Sequence, residues 1–224
     1  MSIRLPLIVS LLIVAAMAVL SAWAWSLIPD TARIAIHFDA NGVANGFADK
    51  QHALIILPAM VVGVIVLLGA IPYIEPRRFN LAASAKLYRT AWIGGIALLA
   101  LAHTTIVLKA LHAAVDIPVL PAMAVLFMVI GNYLGKTRSN FFAGIRTPWT
   151  LSSDYSWEKT HRLTGRLFVL AGAATLASSF TLPVKFAAEI MIVGVLAATL
   201  VGVIASYVYW RRDPDRSSSD GGPQ

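Results

Sequence analysis

Charged residues are so widely spaced along this chain that the gaps between them set its architecture. Six stretches contain no Asp, Glu, Lys or Arg: residues 5–29, 51–74, 90–108, 117–135, 167–184 and 190–210. A bilayer core is crossed by about 20 apolar residues in a helix, and a helix satisfies its own backbone groups there. The pattern predicts an all-α integral membrane protein with six transmembrane helices. Trp23, Trp25, Tyr73, Trp92, Tyr133, Tyr207, Tyr209 and Trp210 stand near the ends of these runs, as interfacial aromatics do. Between the first two runs, Arg33-Ile-Ala-Ile-His-Phe alternates and predicts a short extended piece. Asp39-Ala-Asn-Gly and Ala44-Asn-Gly then read as tight turns, so residues 30–50 predict a small structured cap. Pro76 is expected to end the second helix and Asn80 to cap the next. From Asp154 the chain is expected to run helically into the fifth span. Leu57-Pro-Ala-Met recurs at Leu120–Met123, a four-residue echo that reads as chance in apolar sequence.

Composition sharpens the class. Apolar residues make up 58% of the chain and charged residues 13%, against about a quarter charged in soluble domains. A water-soluble globule is excluded. The absence of cysteine excludes a disulfide scaffold and cysteine-ligated zinc or iron–sulfur sites. The net charge of +7 is unevenly shared. Arg33, Lys50, Lys109 and Lys185 fall on one side of the predicted spans, and every other lysine and arginine on the other. Basic loops stay in the cytoplasm, so both termini are expected inside. The basicity then matches anionic headgroups and gives no reason to expect direct nucleic-acid binding. The first run is too long for a signal-peptide core and follows a single basic residue, so it reads as a retained span. The organisation predicted is an N-terminal module at 1–75 (two spans with an outer loop at 30–50), a four-helix membrane module at 76–212 with an inner loop at 136–166, and a disordered cytoplasmic tail at 213–224.

Candidate chemistry concentrates in that inner loop. Asn132, Tyr133, Lys136, Arg138, Asn140, Arg146, Thr147, Trp149, Trp157, His161 and Arg162 crowd into it. Arginine offers forked donors and tryptophan rigid apolar anchors, while simple anchoring needs no Gly144-Ile-Arg-Thr-Pro-Trp. The loop therefore reads as a binding or signalling surface. In the outer loop His37, Asn41, Gly42, Gly46 and Lys50 are the candidates for a ligand- or peptide-facing surface. His37, Asp39 and His52 follow no known metal spacing, and neither metal nor cofactor is expected. His103, inside the third span, reads as a neutral histidine bonded to a neighbouring helix. Gly194, Ala198, Gly202 and Ser206 repeat every four residues, as do Gly131 and Gly135. Small residues at this spacing let helices approach closely, within the bundle or as a seam between two copies. The spans hold no Asp, Glu, Lys or Arg, and H-E-x-x-H, G-x-S-x-G and the P-loop are absent. Pumps, ion-coupled carriers and enzymes all lose support.

Two stretches carry a family resemblance. Ile36-His-Phe-Asp-Ala-Asn-Gly, with Gly46 and Lys50 and then an apolar Leu-Pro span, resembles the N-terminal membrane module of the SdpI family. Gly131-Asn-Tyr-Leu-Gly-Lys-Thr-Arg-Ser-Asn-Phe-Phe-Ala-Gly-Ile-Arg-Thr-Pro-Trp-Thr-Leu, followed by Trp157, Lys159-Thr-His-Arg and Gly165, resembles that family's C-terminal signature. Together they bracket about residues 4–169. The resemblance implies a multi-pass protein of the bacterial cytoplasmic (inner) membrane that protects the cell from a secreted toxic peptide. It also implies a signal receptor that holds a transcriptional repressor at the membrane. The expected partners are therefore the lipid bilayer, a toxic peptide outside, a repressor inside and a second copy of the chain. The rival readings are a small-molecule or peptide exporter, which calls for a polar cavity at mid-membrane, and, lower, a membrane enzyme using His161.

Overall fold

A computed structural model describes residues 1–39, 41–115 and 117–215. It contains α1 (Arg4–Leu27), β1 (Arg33–Phe38), β2 (Ala44–Asp49), α2 (Lys50–Ile74), α3 (Arg78–Ala83), α4 (Ala85–Ala110), α5 (Val119–Leu134), α6 (Pro148–Ser152), α7 (Asp154–Thr181) and α8 (Val184–Arg211). Among the described residues, α1, α2, α4, α7 and α8 are long and apolar enough to cross a membrane. The fourth apolar run gives a shorter helix: α5 has 16 residues, about 24 Å of rise. Pro118 precedes it and the Ile117–Pro118 stretch stays outside the helix. The shortest predicted run, 167–184, lies mostly inside α7, which has 28 residues.

The helices form two bundles. Helix α1 packs on α2 and α4, α7 packs on both α5 and α8, and the α4–α5 contact joins the two sets. Met17, Val61, Ile65, Trp92 and Ile96 fill the first core. Leu12, Val19, Val66, Leu67, Leu196 and Leu200 point outward, an arrangement stable in lipid and costly in water.

The first bundle solves a backbone problem of its own making. A proline inside a helix removes the donor that would serve the carbonyl four residues earlier. Helix α2 contains Pro58 and Pro72, which strand the carbonyls of Leu54 and Leu68. Ser21 of α1 donates to the Leu54 oxygen at 2.8 Å, and the Tyr88 hydroxyl of α4 donates to the Leu68 oxygen. With its proton committed to Leu54, the Ser21 hydroxyl accepts from His103 Nε2 at 2.9 Å, so His103 is bonded to a neighbouring helix. Trp92 Nε1 donates to Ser10 Oγ at 2.9 Å. The second bundle packs by absence of side chains. A Cβ at Gly131 would lie 2.5 Å from the Gly165 carbonyl, one at Gly172 2.7 Å from that of Ala124, and one at Gly194 2.9 Å from Ala171 Cβ. Gly135 meets the Arg162 backbone, Gly202 meets Thr164, and Ala198 and Ser206 are buried. The small-residue row is thus filled by this chain's own helices.

Local expectations fare unevenly. The alternating segment is β1, paired antiparallel with β2. Between the strands, Gly42 takes φ +79° and its amide donates to the Asp39 carbonyl. Asn45–Gly46 is not a turn. It lies in β2 where the register shifts opposite His37, and a Cβ on Gly46 would come 2.8 Å from that of His37. Asn80 caps nothing: it sits inside α3, and its amide donates to the Ser139 carbonyl at 2.7 Å. Pro76 does follow the end of α2, and α7 does start at Asp154. Pro58 is internal to α2 whereas Pro121 is in the first turn of α5, so the two echo segments occupy different helical positions. In the expected tail, Asp213 accepts a hydrogen bond from Ser153; residues 216–224 lie outside the described residues.

Candidate functional site

The two ends of the molecule are built differently. At one end the β-hairpin closes on local bonds. Asp39 Oδ1 accepts from the amides of Asn41 (2.8 Å) and Val43 (2.9 Å), and Asn41 Nδ2 reaches Asp39 Oδ2 at 3.3 Å. The Val43 amide above all holds the Asp39 carboxyl below its ordinary range. Asp49 caps α2 through the His52 amide at 2.9 Å and is likewise held low by that bond. Lys50, with its side chain 8% exposed, pairs with Asp30 at 2.8 Å and lies over the Trp25 ring; the Lys50 ammonium holds Asp30 low. Lys50 is therefore a fastener between the hairpin stem and α1. His37 faces solvent and bonds Asn45. Exposed around these polar groups are Ile36, Val43 and Phe47, a surface that strand alternation alone does not disclose.

The opposite end is the loop from Lys136 to Ser153, held mostly by long-range bonds. Glu75, at the end of α2 and 1% exposed, accepts the Arg77 amide on one oxygen (2.7 Å) and the Phe141 amide on the other (3.0 Å). Arg77 donates to Ser139 and to the Leu151 carbonyl and lies over the Phe141 ring. Ser84 accepts the Arg138 amide at 3.0 Å. Sequence reading missed Glu75, Arg77, Asn80 and Ser84 as parts of this site. Their only signal was polarity at the ends of spans remote from the loop.

Within the loop, Asn140 is fully buried. Its Oδ1 accepts from the amides of Phe142 and Ala143, and its Nδ2 donates to Arg138 and Ala143 carbonyls. His161 is buried, stacked on Trp157 with centroids 4.0 Å apart. His161 Nδ1 donates to the Trp157 carbonyl at 2.7 Å, and Nε2 accepts the Ile145 amide at 2.8 Å. Both nitrogens are thereby satisfied by the neutral ring. Gly144 has φ +121°, and a Cβ there would lie 2.3 Å from His161 Nε2. Trp157 Nε1 donates to Thr137. Thr147 and Thr150 form a reciprocal capping box at α6 with Pro148 at its first position. Thr147 Oγ1 also donates to Ser206 Oγ at 3.0 Å.

This placement corrects part of the recognition surface expected from sequence. Asn140, Trp157 and His161 are buried, with their polar groups engaged inside the fold, so a partner at this face does not meet them. Arg138, Arg146 and Arg162 are exposed and Trp149 is half-buried against Tyr207. Arg146 Nη1 donates to the Phe141 carbonyl at 2.6 Å, and Arg162 pairs with Glu158 at 2.8 Å. Asn132 and Lys136 bond each other, and Lys136 lies over Tyr133. The recess between the bundles, about 440 Å³, is lined by apolar groups including Leu68, Ile71, Trp92, Ile130 and Phe168; it is not the polar cavity an exporter calls for.

Comparison with known proteins meets this loop directly. The profile of the SdpI/YfhL protein family matches residues 136–210, from the loop through α8. That stretch of the chain is similar to the SdpI family. A domain of unknown function, DUF1648, matches residues 12–62, which cover most of α1, the hairpin and half of α2. The chain is 33% identical over 88 residues to the Immunity protein SdpI of Bacillus subtilis (strain 168), covering 39% of this chain and 42% of that protein. The alignment thus spans about two fifths of that relative's length. No solved structure matches. The long apolar helices and this similarity together support a multi-pass membrane protein.

Proposed function

We propose that this chain is an SdpI-type immunity protein of the bacterial cytoplasmic membrane, giving resistance to a secreted toxic peptide. It crosses the membrane six times, with α5 as the short fourth span and both termini inside. The hairpin faces outward and meets the peptide through Ile36, Val43 and Phe47, with His37 and Asn41 beside them. The inward loop presents Arg138, Arg146, Trp149 and Arg162 to a transcriptional repressor. The observation that carries this reading is the apolar hairpin surface, fastened to the bundle by Lys50 at Asp30 and by Lys109 over the Phe38 ring, 4.6 Å from its centroid. A rigid apolar patch above the bilayer suits capture of a membrane-active peptide. The relative's name, an immunity protein, supports the same reading.

The test is survival. Cells sensitive to a secreted toxic peptide express the chain at verified membrane levels and are challenged beside an empty-vector control. Protection that disappears in Phe47→Asp supports the proposal. Killing equal to the control, with the protein present, removes the immunity role. The inner arm is tested separately: Arg146→Ala is expected to leave membrane abundance unchanged and to abolish retention of the repressor at the membrane. Loss of the folded protein would instead make Arg146 a structural residue.

A further inference from the structure

Around their Gly131–Gly165 crossing, α5 and α7 leave a groove of about 670 Å³ on the side of the bundle. Its upper rim carries Lys136, Arg162 and Arg166, and its lower wall is Val169 and Leu170. On α7, positions 162, 166, 169 and 170 recur at helical spacing and share one face. The charge therefore gives way to apolar surface within a single turn, about 5 Å along the axis. Leu170 is 64% exposed. At the floor of the groove Gly135 packs directly on Arg162, where a Cβ would lie 3.0 Å from the Arg162 Cα.

We propose that this groove binds an anionic phospholipid, with its phosphate between Lys136 and Arg166 and its first acyl segment along Val169 and Leu170. Charge complementarity selects the occupant. Arg162 is partly neutralised by Glu158, 2.8 Å away and one turn toward the loop, and Asp154 lies in the adjoining recess beyond it. Arg166 has no acidic partner among the described residues. Lys136 is steadied by Asn132 and the Tyr133 ring, both uncharged. A net positive rim over an apolar wall fits a lipid, whose headgroup and tail present the same two surfaces at the same spacing. Free phosphate would use only the rim. The site is separate from the hairpin, and its occupancy does not depend on which peptide the chain opposes.

The experiment uses the full chain in neutral detergent and follows thermal unfolding by tryptophan fluorescence. Dioleoylphosphatidylglycerol is titrated in beside dioleoylphosphatidylcholine and inorganic phosphate. Phosphatidylglycerol is expected to raise Tm saturably, and the other two are not. Lys136→Gln with Arg166→Gln is expected to require about thirtyfold more phosphatidylglycerol for the same shift, while Lys136→Arg with Arg166→Lys keeps the wild-type response. Should the double glutamine variant not fold, Leu170→Trp fills the groove below the charges and is expected to weaken the same response. An equal shift with phosphatidylcholine, an equal shift with phosphate alone, or an unchanged response in the folded variants overturns the proposal.

Discussion

Two helical bundles sit side by side in the same apolar surroundings and hold together by different means. In the first, α1, α2 and α4 are tied by side chains reaching for stranded backbone: Ser21 to Leu54, Tyr88 to Leu68. In the second, α5, α7 and α8 are brought so close that a Cβ on Gly131, Gly165, Gly172 or Gly194 would collide with the facing helix. Lipid supplies no hydrophobic drive between helices, so packing and hydrogen bonds must do it. The comparison teaches that the proline content of α2 decides the first solution. Once Pro58 and Pro72 free two carbonyls, polar partners on the neighbours become a requirement. The second bundle has no proline at the matching depth of α7 or α8 and instead gains contact area from small residues.

This contrast predicts unequal costs. The largest belongs to the closely packed glycines. Gly165→Leu must push the Gly131 carbonyl away and should cost roughly 3 kcal/mol or more, read as loss of monodisperse protein in detergent chromatography. Gly165→Ala retaining wild-type thermal stability would break the comparison. Next comes the joint between the bundles. Glu75→Ala leaves the Arg77 and Phe141 amides without their acceptor, and about 2 kcal/mol is expected, seen as a lowered Tm and faster proteolysis within residues 136–153. The polar ties of the first bundle should cost less. Tyr88→Phe leaves the Leu68 carbonyl unserved, and about 1 kcal/mol is expected because such bonds in membranes are individually modest. A Tyr88→Phe effect equal to that of Gly165→Leu would show that the two bundles are not distinguished in this way. The smallest effect lies outside both. Folding lowers the carboxyl pKa of Asp39, so its contribution to the turn is present above the ordinary carboxylate pKa and is lost as pH falls through the lowered value. Exchange protection of the Val43 amide should therefore hold at neutral pH and fall only under acid, below the ordinary carboxylate range, with both bundles unaffected.

Much of this was legible in residue order because it is local. Charge gaps locate the apolar helices, alternation marks β1, and the helical start expected at Asp154 is where α7 begins. The illegible parts are long-range and single. Nothing near Glu75 announces that its carboxylate will take an amide 66 positions later. Gly144 reads as a turn glycine, yet its missing side chain is what lets Ile145 reach His161. For the same reason the conspicuous Trp157 and His161 look like contact residues in sequence and prove to be the inside of the loop. Asn45–Gly46 has turn chemistry, but pairing against His37 absorbs it as an irregularity in the strand.

The hook from Glu75 to Phe141 also implies an order of assembly. Residues 1–110, with all of the first bundle, are synthesised and can dock before the ribosome reaches position 141. During that interval one oxygen of the Glu75 carboxylate has only water to bond. A hydrated charge resists entry into a bilayer core, so Glu75 opposes deeper insertion of α2 during that interval. When the loop arrives, the same carboxylate exchanges water for the Phe141 amide and becomes buried. In the folded chain it is the latch between α2 and the loop.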